Sequence, residues 1–249
     1  MSFEMVEWEC ILDCNFKCSY CVNSRNSALK KPIMYEKDFE KVKKFIDHLK
    51  TYDVEIFIFG GEPFLHPRIE DIIKYANTIN LKYMIQTNFS MYKKIQNITE
   101  PFILQVSFHR EQVKNIDEYI EYLKINNKIR KIDIMFKSLE DVKLYNRLIK
   151  EGLKNVFIAP VADFTHNEIS HLESLTNFNK YKKILRDVNF EPGDRSFKWE
   201  AMIRGESLTK GKPCIYKNKY ILFDPLFRSY NCSHRINCDI CPNNACFLQ

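Results

Sequence analysis

The sequence predicts an α/β fold: a curved parallel sheet or open barrel of six strand–helix units, followed by a small cysteine-rich extension. Three observations carry this expectation. Segments of strand and helix period alternate through the first 160 of the 249 residues. Several strands carry one apolar and one polar face, as strands do when one side meets helices and the other lines a lumen. The nine cysteines fall into two groups, Cys10–Cys21 and Cys214–Cys246, with none between residues 22 and 213. Alternation alone fits a flat doubly wound sheet as well; the polar strand faces favour curvature.

The elements follow in order. Val6–Ile11 is strand-like and leads into the first cysteines. Tyr35–Leu49 has helical period, with Phe39, Val42, Phe45, Ile46 and Leu49 on one face. Val54–Phe59 is a β-branched and aromatic strand that stops in Gly60-Gly61-Glu62-Pro63. A helix over Pro67–Asn80, a strand over Tyr83–Gln86 and a short helix around Met91–Ile95 come next. Ile103–Phe108 is a strand, Val113–Ile125 a helix and Lys131–Phe136 a strand. Ser138 and Asp141 form a capping box for a helix through Lys150, which Gly152 stops. Val156–Ala159 is the sixth strand. Tyr181–Val188 reads as helix and Glu191–Asp194 as a turn, within a looser connecting segment, 161–205. Tyr220–Phe223 and Arg228–Asn231 read as a hairpin around Asp224-Pro225, in an extension over 206–249 too small for its own core and suited to a metal staple.

Strand parity groups the polar residues. Glu7 and Glu9 share a face opposite Val6, Trp8 and Cys10. Met84, Gln86 and Asn88 share another, as do Gln105, Ser107 and His109, and Asp133, Met135 and Lys137. These sets are expected to face the lumen, growing more polar toward the carboxyl ends of the strands.

Composition bounds the function. A hydrophobic content of 45% supports a core, and no apolar run reaches a membrane span. The first residues carry no secretory pattern, so a reducing, cytoplasmic setting is expected, in which two thiol groups point to metal rather than disulfides. The net charge of +6 comes from scattered lysines and fits solvated helix faces better than a nucleic-acid groove.

Cys14, Cys18 and Cys21 have x3 and x2 spacing, which can hold three corners of an iron–sulfur cube and leave one iron open. Zinc is the alternative, with Cys10 as a fourth ligand, although Cys10 lies on the strand's apolar side.

Cys14-Asn15-Phe16-Lys17-Cys18-Ser19-Tyr20-Cys21 resembles the signature of the radical S-adenosylmethionine (SAM) superfamily, and Gly60-Gly61-Glu62-Pro63 resembles its second-strand motif. The resemblance covers residues 4–160 and implies a partial (β/α)6 radical SAM barrel. It implies a 4Fe-4S cluster on Cys14, Cys18 and Cys21 that chelates SAM, and a reductant such as flavodoxin or ferredoxin. It further implies SAM contacts from Gly60, Gly61, Glu62 and Pro63, with Glu62 taking the ammonium group. Gln86, Thr87, Asn88 and Ser107 are implied as further contacts, with Ile158 near adenine. The tail resembles the auxiliary-cluster extensions called SPASM and twitch, with Phe227 where a glycine is usual. It implies a second 4Fe-4S cluster on four of Cys214, Cys232, Cys238, Cys241 and Cys246, zinc remaining the alternative. The expected activity is oxidation of an unactivated C–H bond in a small sugar- or aminocyclitol-like molecule or a peptide, or epimerisation or peptide crosslinking. A non-catalytic metal- or nucleic-acid-binding module is the alternative of another class. Glu7, Glu9, His109, Lys137 and Arg204 are the candidate pocket residues, and Cys10 or Cys246 the candidate hydrogen donor of an epimerase.

Overall fold

The computed structural model describes residues 3–18, 21, 35–160, 213 and 219–231. The tail cysteines, Arg204, the helix at 181–188 and the turn at 191–194 lie outside the described residues. The elements are β1 (Met5–Ile11), α1 (Phe39–Lys50), β2 (Ile56–Gly60), α2 (Ile69–Thr78), β3 (Tyr83–Thr87), α3 (Tyr92–Asn97), β4 (Leu104–Phe108), α4 (Ile116–Ile125), β5 (Ile129–Phe136), α5 (Leu139–Lys150), β6 (Val156–Pro160), β7 (Tyr220–Phe223) and β8 (Ser229–Tyr230).

All of the described strands form one sheet in the order β6-β5-β4-β3-β2-β1-β7-β8. Pairing from β6 through β1 to β7 is parallel, and only β7–β8 is antiparallel. The hairpin expected near residue 224 is present. Its place was not legible: β7 adds to the free side of β1, with Met5 opposite Tyr220 and Trp8 opposite Phe223. The extension therefore contributes strands to the main sheet.

Parity holds across the sheet. Val6, Trp8, Ile56, Ile58, Ile85, Val106, Ile132, Ile134 and Ile158 are all at most 1% exposed and share the core with Val42, Phe45, Ile46 and Leu49 of α1. Trp8 meets Phe45 edge-on at 5.2 Å, and Phe45 stacks on Phe227 at 4.2 Å. On the other face Gln86 Nε2 donates to Ser107 Oγ at 2.9 Å, Gln105 Nε2 to Asp133 Oδ2 at 2.5 Å, and Lys131 pairs with Asp133 at 3.1 Å.

That polar face is concave. Between Leu104 and Gln105 the β4–β5 register shifts, which makes Arg130 the extra residue of a bulge. Its guanidinium takes both Glu55 carboxylate oxygens, one at 2.8 Å, and reaches Met84 Sδ at 2.9 Å. Glu55 precedes β2 and Met84 is on β3. Three strand spacings in a flat sheet separate β2 from β5 by about 14 Å, so this two-point contact requires the sheet to curl. It stays open, with β6 and β8 at its edges among the described residues, as in a partial barrel.

Local signals set the helix starts. Asp38 caps α1 through Oδ1, which accepts from Glu40 N at 3.0 Å, and Asn115 caps α4 by accepting from Glu118 N at 3.2 Å. These caps move both helices past their expected starts at Tyr35 and Val113. The Ser138–Asp141 capping box is formed, and Gly152, at φ +87°, ends α5.

Candidate active site

The carboxyl ends of β1 and β2 are joined through backbone. Gly61 N donates to Ile11 O and Glu62 N to Asp13 O, each at 2.8 Å. A Cβ on Gly60 would stand 2.2 Å from Ile11 O, and one on Gly61 2.0 Å from Asp13 O. Both positions must be glycine because the chain leading into the cysteine loop lies directly on them. Pro63 then opens a short 3-10 turn and is buried.

Glu62 is fully buried. Its Oε1 accepts from Thr87 Oγ1 at 2.7 Å and Phe64 N at 3.1 Å, and its Oε2 from Asn88 N at 2.8 Å. Burial pushes its carboxyl up to about 7, while these donors pull it down. Three protein donors hold the carboxylate, two on Oε1 and one on Oε2, and through them it ties the end of β2 to the end of β3.

The thiols lie just beyond. Cys18 is buried and packs with Phe16, Cys21 and Met135, and Cys21 N donates to Cys18 O at 3.1 Å. Cys14 Sγ accepts from Phe16 N at 3.4 Å and from Asn88 Nδ2 at 3.6 Å. Burial pushes the Cys14 thiol up to about 11, against those two donors. Among the described residues no three histidine, cysteine, aspartate or glutamate side chains close around a single ion. The donor set still fits an iron–sulfur cluster: three thiols as soft ligands, with N–H groups aimed at sulfur as a thiolate requires.

The other expected site residues divide. Gln86 and Ser107 are on the concave face, bonded to each other. Thr87 and Ile158 face the helices, at 2% and 0% exposure, so Ile158 cannot present its side chain to adenine; Phe157 and Ala159 hold the concave positions of β6. Asn88 is a hub. Its Nδ2 reaches Cys14 and Asn15, its Oδ1 accepts from Ser90 N, and its carbonyl accepts from the buried Tyr119 hydroxyl at 2.9 Å.

Among the pocket candidates, Glu9 is buried on the concave side, and Glu7 accepts from the Tyr220 hydroxyl at 2.5 Å. Burial pushes Glu7 up to about 7, Tyr220 pulling down and Glu9 pushing up. Cys10 is in the helix-side core at 1% exposure. His109 is next to the cysteines: its Nδ1 is 3.4 Å from Cys18 Sγ, Phe16 packs edge-on to its ring, and burial lowers it to about 4. Lys137 is tied at the rim to Glu111 at 2.6 Å. Sequence reasoning missed Asn15, Ser90 and Gln112, which brace the loop, Gln112 through Lys17 N at 3.1 Å. It also missed Tyr220, whose partner Glu7 is 213 residues away. No local pattern marks any of them.

Comparison with known proteins agrees with this geometry. The chain is 26% identical over 211 residues to an S-adenosylmethionine-dependent nucleotide dehydratase of a Fibrobacter species, covering 80% of this chain and 60% of that one. An AdoMet-dependent heme synthase of Methanosarcina barkeri matches at 28% over 85 residues, 34% of this chain and 24% of its own. Among solved structures, Streptococcus suis SuiB bound to precursor peptide SuiA superposes with a TM-score of 0.63 at 15% identity, over 97% of this chain and 62% of SuiB. The chain thus spans about three fifths of the length of the first and last of these proteins. The Radical SAM superfamily matches residues 8–170, and the chain belongs to that superfamily.

Proposed function

We propose that this enzyme cleaves SAM reductively on a 4Fe-4S cluster held by Cys14, Cys18 and Cys21, and abstracts hydrogen from a substrate in the concave polar face. The observation that carries the reading is the cysteine loop seated on Gly60–Glu62, beside the polar ends of β3 and β4. Bound together, the cluster and SAM supply a 5′-deoxyadenosyl radical at that end of the sheet. The chain's own residues hold and enclose the reactants. Backbone at Gly60–Glu62 takes the amino acid end of SAM, and Gln86 and Ser107 offer polar atoms on the concave side. Glu7, Glu9, Gln105, Lys131 and Asp133 line the face below, where a polar substrate can exchange hydrogen bonds. An auxiliary 4Fe-4S cluster on four of Cys214, Cys232, Cys238, Cys241 and Cys246 assists oxidation, with flavodoxin or ferredoxin as reductant.

The substrate class is a polar small molecule, sugar- or aminocyclitol-like, or a peptide. A nucleotide is a second reading, supported by the likeness to nucleotide dehydratases over most of this chain. Epimerisation through Cys10 loses support, because that thiol is in the core on the far side of β1.

The test is anaerobic reconstitution followed by dithionite and SAM. About eight irons per chain and formation of 5′-deoxyadenosine are expected if both sites hold four-iron clusters. Zinc at the first site, or no cleavage by fully loaded protein, refutes the radical assignment. Cys232→Ala is expected to keep SAM cleavage and lose product. Deuterium transfer into 5′-deoxyadenosine from labelled nucleotides, sugars or peptides decides between the substrate readings.

A further inference from the structure

We propose that Asn88 and His109 are hydrogen-bond donors to two of the three cluster thiolates, and that they set how readily this cluster accepts an electron. The inference rests on the assignment of the cluster to Cys14, Cys18 and Cys21. It gives Asn88 and His109 roles other than the SAM and substrate contacts expected of them.

The geometry is specific to each residue. Asn88 directly follows β3, is 6% exposed, and directs Nδ2 at Cys14 Sγ across 3.6 Å. Its orientation is fixed from three sides. Its Oδ1 accepts from Ser90 N at 2.9 Å, which leaves the NH2 group facing the sulfur. Its main-chain N–H is held by Glu62, and its carbonyl by Tyr119. His109, directly following β4, brings Nδ1 to 3.4 Å from Cys18 Sγ, and Phe16 holds the ring edge-on at 6.0 Å. A thiolate at that distance selects the tautomer with the proton on Nδ1.

Hydrogen bonds to cluster sulfurs favour the reduced cluster, which carries one more negative charge. Removing either donor therefore makes reduction harder. Both residues act through the cysteines and are positioning residues by this assignment.

The experiment is a potentiometric titration of the anaerobically reconstituted full chain, followed by electron paramagnetic resonance without SAM. Iron content and circular dichroism accompany each sample. Asn88→Asp keeps the oxygen that caps Ser90 and removes the donor; His109→Phe keeps the ring against Phe16 and removes the nitrogen. Each is expected to shift the midpoint to more negative potential at wild-type iron content, and the double variant further than either. Asn88→Ala removes the donor without adding charge and is expected to shift in the same direction; a shift seen in Asn88→Asp and absent in Asn88→Ala reflects the added carboxylate and overturns the donor role of Asn88. Unchanged midpoints in loaded variants overturn the inference. So does a result in which the Asn88 variant weakens SAM binding while its SAM-free midpoint stays at the wild-type value. A wild-type protein that forms no cluster signal instead defeats the underlying function, and is distinguishable because it precedes any comparison of variants.

Discussion

The contact between Gly61 and Asp13 gives the sharpest test of how the cysteine loop is held. Replacing Gly61 by alanine puts a Cβ 2.0 Å from Asp13 O and 2.6 Å from Leu12 O, where real Cβ contacts essentially never fall below 3.0 Å. Both obstacles are backbone, so no side chain can swing away. The loop and the turn must separate by about 1 Å, which carries the two 2.8 Å bonds, Gly61 N to Ile11 O and Glu62 N to Asp13 O, out of the usual N–H···O range of about 2.7–3.2 Å. Two bonds at about 1 kcal/mol each, plus about 1–3 kcal/mol of overpacking, give about 3–5 kcal/mol. Gly152→Ala is the control: nothing lies within 4 Å of its Cβ, and only its φ of +87° opposes the change. That costs about 1–2 kcal/mol. Urea unfolding of the reconstituted variants, with iron per chain measured on the same samples, separates the cases. Gly61→Ala is expected to lose about two to three times the stability that Gly152→Ala does, and to lose iron from the first site as well. A Gly61→Ala protein with wild-type stability and full iron would mean that the turn does not carry the loop.

Three further outcomes follow from the same contacts. Glu7, held up to about 7 against an ordinary 4.5, contributes stability that is complete below about pH 4.5 and is lost as pH rises through 7. Glu7→Gln keeps a partner for Tyr220 and removes the titration, so its stability is expected to fall less than wild type between those values; parallel curves would refute the assignment. Tyr119→Phe strands the buried Asn88 carbonyl and is expected to cost about 1–3 kcal/mol in urea unfolding. Arg130→Ala removes a half-exposed pair with Glu55 and is expected to cost no more than about 1 kcal/mol, more at low salt than at high, so a salt-independent loss would count against the pair.

The sheet and its faces were legible because their signals are local. Period, parity and the Ser138–Asp141 box are each written within a few residues, and the concave polar face follows from parity in several strands at once. The missed caps at Asp38 and Asn115 were legible too, since each precedes an acidic first turn. What was not legible depends on who meets whom across the sheet. Glu62 reads as a lone carboxylate until Thr87 and Asn88, some 25 residues on, are seen to donate to it. His109 reads as a lumen residue until the loop folds over the end of β4 and sets Cys18 against it. Tyr220–Phe223 reads as half of an isolated hairpin because nothing in those residues names β1 as a neighbour.

The braces on the cysteine loop also bear on the order in which the site is built. The loop is held by Gly60–Glu62 at the end of β2, by Asn88 after β3, and by His109 and Gln112 after β4. The Gly60–Glu62 bonds need only the ends of β1 and β2, and the others need β3 and β4 in place as well. The core beneath these braces is apolar: Trp8, Ile58, Ile85 and Val106, none of them a metal donor, are all at most 1% exposed. Small metal domains differ, because their fold exists only with the ion in place. Apoprotein prepared by chelation is therefore expected to keep its secondary structure and a cooperative urea transition. It should regain the cluster without refolding, as read by circular dichroism before and after reconstitution. Loss of the sheet on chelation would show that the metal, and not the strand ends, organises the loop.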